Sequence, residues 1–378
     1  MSSGSTDKKR SGMGFKGNCQ TTAMGIMPHT DIGKALALSL SLDIPFWPQL
    51  PHVSYYENMY VQASEHFPGI IIDVENQRLS FDSTRFAEQL AEYSEKMADA
   101  MTFTLSNKYS AVYRQFLSQD LYKYSAIRGQ VIGPVSFGFK VFDENNMPII
   151  YNESTRTLLF DFLSRKINAQ YVELKRKNEH AFVWLDEPGL GWVFSGFSGY
   201  DDRTAKREYS DFLKSLTGPG ALHLCANVNL PYLLSMGTTL LSFDAYQMQI
   251  LPKGYATVVA AFLREGGIIS WGIVPTDSSA LANETPERLS ELLNNYWGIV
   301  AANTDIPIKQ IAGQALIAPA RRCLKNIGQV GANDEKANKS KSNKLLLQPE
   351  ERLVETAFAY LRTMSKILRK EFSLNSEE

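Results

Sequence analysis

The feature that most restricts what this chain can become is a rhythm in the sequence. Short apolar runs of strand length alternate with amphipathic patterns of helix length, and run after run ends in a polar or reactive residue. The strand-length runs cover 21–27, 44–50, 126–131, 181–185, 221–227, 239–243, 267–273 and 314–317. Helical patterns fall between them, near 31–42, 54–66, 84–100, 108–120, 154–177, 202–216, 230–236, 254–265 and 285–302, and a last one covers 349–371. Strands alternating with helices in this way predict an α/β fold, a (β/α)8 TIM barrel, in which chemistry gathers at the C-terminal strand ends. A doubly wound open sheet would also bind ligands at strand ends, but no G-x-G-x-x-G follows a strand and no P-loop is present.

Three segments stand outside that rhythm. Residues 1–13 are polar and read as a disordered leader, leaving 14–378 as a single barrel domain. The stretch 68–81 reads as an inserted hairpin with Glu75-Asn76 at its turn. The lysine- and asparagine-rich stretch 328–344 reads as a flexible surface loop before the last helix.

Composition narrows the partners. The net charge of −1 over 378 residues gives no footprint for nucleic acid or for a charged membrane surface. No apolar run reaches the roughly 18 residues that a spanning helix requires, and the N-terminus lacks the apolar segment of a signal peptide. Three cysteines, Cys19, Cys225 and Cys323, are too few for a disulfide framework in a chain of this length, which predicts a reducing, cytoplasmic setting.

The reactive residues sit where a barrel would use them. In A-L-H-L-C-A-N, 221–227, His223 and Cys225 are two apart, so on a strand they share one face. An imidazole and a thiol side by side form a two-point grip for zinc if other ligands arrive from elsewhere. The same spacing also suits a core cysteine beside a hydrogen-bonded histidine. Other runs end in His29, Gln49, Asp186-Glu187, Asp244, Thr276 and Cys323.

Six stretches taken together resemble the catalytic half of cobalamin-independent methionine synthase, and more closely its short core relatives that lack the N-terminal half. They are T-T-A-M-G-I-M-P-H-T-D (21–31), I-P-F-W-P-Q-L-P (44–51), W-L-D-E-P-G-L (184–190), H-L-C-A-N (223–227), S-F-D-A-Y (242–246) and W-G-I-V-P-T (271–276). The superfamily also holds uroporphyrinogen decarboxylase and the corrinoid-dependent methyltransferases that methylate coenzyme M. The resemblance implies a zinc ion that binds the acceptor thiol, with His223, Cys225, Asp244 and Cys323 as its ligands. Asp244 stands where the long enzymes have glutamate. The family's P-x-C-G pattern meets Pro319-Ala320-Arg321-Arg322-Cys323, so Arg321 occupies the matching position and Cys323 lies two residues further on.

The resemblance further implies that Asp186 holds the amino group of homocysteine and that the Met24-Gly25-Ile26 turn holds its carboxylate through backbone N–H groups. Glu187 is either a second ammonium ligand or a brace behind the site. The implied catalytic residues are Asp186 and Asp244. The general-acid histidine of the long enzymes has no counterpart in W-G-I-V-P-T, and His29, His52, His66 and His180 do not stand in its motif. A folate donor needs N5 protonated to leave, whereas a methyl-corrinoid leaves with its electron pair on cobalt. The expected activity is therefore zinc-dependent methyl transfer to homocysteine or another small thiol, from a methyl-corrinoid or corrinoid protein. Two readings compete with it. A metal-free decarboxylase of the uroporphyrinogen type would use Arg128 and Arg321-Arg322 for an acidic tetrapyrrole but leaves H-x-C unexplained. A non-catalytic barrel would retain only a zinc- or corrinoid-binding surface.

Overall fold

The computed structural model describes residues 13–196, 198–225, 228–321 and 342–374. Among the described residues nine strands are formed, in chain order β1 (Gln20–Thr21), β2 (Ile70–Asp73), β3 (Arg78–Phe81), β4 (Arg128–Ile132), β5 (Phe182–Asp186), β6 (Gly220–Leu224), β7 (Leu240–Asp244), β8 (Ile268–Val274) and β9 (Ala315–Pro319). β2 and β3 are the expected antiparallel hairpin, with Asp73 paired to Arg78 across the turn. The other seven form one curled parallel sheet in the order β1-β9-β8-β7-β6-β5-β4, with helices between successive strands.

Ladder pairing does not close this sheet on itself, and the expected strand over 44–50 forms only isolated bridges. Pro45 and Pro48 lack the N–H donors that a central strand must supply. The segment still lies between the two sheet edges. Ile44 N donates to Thr21 O at 3.0 Å, and Arg128 N donates to Pro45 O at 3.0 Å. Isolated parallel bridges join Ile26 to Gln49 and Phe46 to Arg128. The run expected over 21–27 likewise shrinks to the two ladder residues of β1. Beyond Thr21 the chain leaves the ladder and meets the 44–50 segment instead.

Alternation along the strands sorts side chains into two apolar layers. Val183, Leu185, Leu222, Leu224, Leu241 and Phe243 face the helices. Phe182, Trp184, Ala221, Leu240, Ile268 and Leu316 belong to a separate inner cluster, together with Ile44 from the irregular segment and Met13 near the start of the described chain. This parity fixes what points inward at the strand ends. Asp186 follows Phe182 and Trp184, His223 and Cys225 follow Ala221, and Ser242 and Asp244 follow Leu240.

The long helices fall close to their expected spans, at Glu153–Lys175, Asp202–Ser215, Pro286–Ala302 and Ser342–Glu371. Asp31 caps Ile32–Ser39 by accepting from Lys34 N at 3.0 Å. The last helix begins earlier than its apolar pattern indicated, so residues 342–344 of the expected loop are helical. The rest of that loop outside 342–344, and residues 1–12 of the expected leader, lie outside the described residues, whereas Met13 is buried. Among the described residues no helix is long and apolar enough to cross a membrane.

Candidate active site

β5 and β6 end side by side, and their register places Asp186 directly opposite His223. Cys225 lies one residue beyond the end of β6 and keeps the inward parity. Asp186, His223 and Cys225 each bring one ligand-capable atom to within 4.8 Å of the other two. A carboxylate oxygen, an imidazole nitrogen and a thiol sulfur at that spacing could hold a tetrahedral metal ion with one position left open.

The histidine is oriented from its other side. Its Nδ1 lies 3.0 Å from Ser242 Oγ, on the residue paired with it across β7, which leaves Nε2 as the ring's metal-binding atom. Burial, with the Arg128 charge acting in the same direction, pushes His223 down to about 3. The imidazole is therefore neutral at physiological pH, as a metal ligand must be. The Trp184 ring packs against it with centroids 5.5 Å apart.

A narrow cavity opens onto these residues. It encloses about 20 Å³, and the space between atoms comes to about 360 Å³ once the clefts leading to solvent are included. Met24, Gly25 and Ile26 line it opposite Trp184, and Arg128 and Gln130 of β4 line it deeper along the strand axis. The turn is held close: Gln49 N donates to Gly25 O at 2.7 Å, and a Cβ at Gly25 would collide with the Gln130 amide. Any larger residue there would have to displace the Gln130 amide, which donates to Trp47 O.

Glu187 is turned away from this cavity. It is fully buried and accepts from Val135 N at 3.1 Å, Ser136 N at 2.8 Å and Ser136 Oγ at 2.6 Å. Ser136 Oγ accepts in turn from Gly189 N at 2.8 Å. Glu187 thus ties the first turn of the helix Pro134–Lys140, which follows β4, to the turn after β5. Burial pushes its carboxyl up to about 8 despite donors that favour the charged form.

The two remaining metal candidates are placed differently. Asp244 ends β7 on the inner face, but its Oδ2 is 2.6 Å from Arg321 Nε. Burial raises the Asp244 carboxyl above its ordinary value, and the Arg321 guanidinium pulls in the opposite direction. Cys323 lies outside the described residues. The third cysteine, Cys19, is core. Its Sγ points at Ala312 O at 3.5 Å, and burial pushes the thiol up to about 12.

Arg128 is the residue that sequence reasoning undervalued. It is 1 % exposed, with its guanidinium carbon 4.3 Å from the Trp184 ring centroid and 4.9 Å from that of Phe46. At the head of a strand an arginine ordinarily reaches solvent, and only the inward parity of Ala126, Arg128 and Gln130 indicates otherwise.

The sequence matches no protein-family model and no curated protein. Among solved structures, the chain is similar to a B12-independent methionine synthase from Shewanella sp. W3-18-1 in complex with selenomethionine. That likeness has 15% identity and a TM-score of 0.48, and it covers 92% of this chain and 90% of that one. It is also similar to a putative vitamin-B12-independent methionine synthase from Listeria monocytogenes, at 10% identity and a TM-score of 0.37, over 61% of this chain and 63% of that one. Likenesses this distant carry no argument about function, which rests on the cluster itself.

Proposed function

We propose that this chain is a zinc-dependent methyltransferase that moves a methyl group onto a small thiol, with homocysteine as the first acceptor to test. The convergence of Asp186, His223 and Cys225 at adjacent strand ends, beside a cavity, is the observation that carries the reading. His223 Nε2 and Cys225 Sγ would hold the metal, with the Asp186 carboxylate the third group in reach. Asp186 has a second use in this reading, pairing with the acceptor's ammonium group. Asp244 would join the metal only when its ion pair with Arg321 opens, and Cys323 would supply a further thiolate. The chemistry zinc supplies when bound is a substrate thiolate at neutral pH. The protein's own residues position that sulfur: Ser242 fixes the imidazole, and Trp184 and the Met24–Ile26 turn narrow the approach.

The same reading takes the 44–49 segment as the irregular eighth stave of a (β/α)8 barrel and places the enzyme in a reducing, cytoplasmic setting, with a corrinoid protein as possible partner. The donor follows from a missing proton source. Gly272 and Ile273 stand in W-G-I-V-P-T where a general acid would be needed for a folate. General-acid help is typically worth roughly 10²–10⁴-fold. A methyl group on cobalt leaves without a proton, since the S–CH3 bond forms as the Co–CH3 bond breaks and cobalt keeps the electron pair. Zinc-loaded protein should therefore methylate homocysteine from methylcobalamin at a detectable rate and from methyltetrahydrofolate only negligibly. Equal or faster turnover with the folate would overturn the donor assignment, and no turnover with either would overturn the function.

A further inference from the structure

Among the described residues, the interior of the sheet holds a cation, Arg128, whose hydrogen bonding is incomplete. Arg128 Nε donates to Thr22 Oγ1 at 3.0 Å, and Nη1 donates to Gln130 Oε1 at 3.0 Å and Gly129 O at 3.3 Å. Nη2 is buried and has no hydrogen-bond partner among the described residues. Stacking between Trp184 and Phe46 fixes the plane of the guanidinium, so this donor has a set direction rather than a mobile one. Leaving a charged donor unmatched in a buried site is costly unless something arrives to meet it.

What could arrive is set by the cavity, since Arg128 lines the same space as Asp186, His223 and Cys225. We propose that Arg128 is an anion subsite that takes the acidic group of the thiol substrate, a carboxylate or sulfonate, and so selects acid-bearing thiols over neutral ones. This rests on the thiol methyltransferase reading of the site. An acid group seated at Nη2 and a sulfur seated at the His223–Cys225 end would be the two fixed points of one short ligand. The Met24-Gly25-Ile26 turn, which the resemblance gave the carboxylate, would instead line the space between them. Because the cavity holds about 20 Å³, entry of such a ligand requires the partly exposed Met24 or Ile26 side chain to swing aside. Burial lowers Arg128 to about 9, and the nearby Asp186 carboxylate opposes that shift, so the guanidinium stays charged at neutral pH.

Three ligands that differ by one group each test this by calorimetry on the zinc-loaded full chain. Homocysteine carries both groups, homoserine replaces the thiol with a hydroxyl, and 3-aminopropanethiol lacks the carboxylate. Homocysteine should bind at least about tenfold more tightly than 3-aminopropanethiol, the scale expected for a hydrogen bond to a charged group. Arg128→Lys and Arg128→Gln should shrink that preference to about threefold or less while leaving 3-aminopropanethiol affinity within about twofold. The ligand comparison on the unaltered chain stands even if both variants fail to fold. Mercaptoethanesulfonate in place of homocysteine tells whether a sulfonate serves as well as a carboxylate. Equal affinity for homocysteine and 3-aminopropanethiol, or a preference that survives in a folded variant, overturns the subsite. If homoserine binds as tightly as homocysteine while the Arg128 dependence persists, the subsite stands and the thiol reading fails.

Discussion

Two places along the strand ends each present an inward aspartate and have opposite characters. At β5 and β6, Asp186, His223 and Cys225 turn their ligand atoms toward one another beside a cavity. At β7 and β9, Asp244 is just as inward and more deeply buried than Asp186, but Arg321 reaches over from the end of β9 and neutralises it. The difference lies in what each aspartate faces: Asp244 has an arginine at 2.6 Å, whereas Asp186 has an imidazole and a thiol within reach. A carboxylate held in a tight ion pair is less available to a metal or a substrate. Arg321 therefore sets the state of Asp244.

Substitutions can break or sharpen that contrast. The largest effect is expected at the brace behind the first pair. Glu187→Gln should cost about 2 kcal/mol of stability, because one amide oxygen cannot accept all three donors from Val135 and Ser136. A urea midpoint unchanged from the parent would show that the segments after β4 and β5 do not depend on it.

Ser242→Ala comes next. Without the hydroxyl beside Nδ1 the imidazole loses its orientation, and zinc affinity should fall about 10–100-fold while the fold is retained. Competition with a calibrated chelator measures this, and unaltered affinity would mean that the ring is held by packing against Trp184 alone.

The smallest effect belongs to the second pair and depends on pH. Arg321→Met should cost about 1 kcal/mol at pH 8, a modest figure because the arginine is 43% exposed. Burial holds the Asp244 carboxyl above its ordinary value, so the folded chain binds that proton more tightly than the unfolded chain does. Stability from this group is fully present below the unfolded value of about 3.9 and is lost as pH rises through the folded value. Removing Arg321 raises the folded value further, so the deficit should shrink as pH falls from 8 toward 4. A deficit that grows in acid would reverse the sign of the Asp244 contribution.

The sequence made the strand ends legible and the pairing between them less so. β4, β5, β7, β8 and β9 form within a residue or two of the apolar runs, and β6 ends at Leu224 where the run reached 227, because a buried parallel strand is a short hydrophobic run whatever its neighbours. The 44–50 run forms only isolated bridges, the short or irregular strand that its two prolines indicate. Short helices at Pro134–Lys140, Gly189–Phe194, Ser278–Ala282 and Ile308–Gly313 are below the length at which a 3.6-residue period shows. His223 and Cys225 were readable from their spacing of two. The approach of Asp186, the capture of Asp244 by Arg321 and the burial of Arg128 depend on which strands lie side by side. That is long-range information, and local pattern does not carry it.

The contrast between the two strand-end pairs is tested most directly by zinc content, measured side by side on Cys225→Ser and Asp244→Asn proteins purified under the same conditions. Cys225→Ser should lose most of its metal, while Asp244→Asn should keep about one ion per chain, the stoichiometry of one closed site. A full complement in Cys225→Ser, or an empty Asp244→Asn, would contradict the placement of the metal at the β5–β6 end.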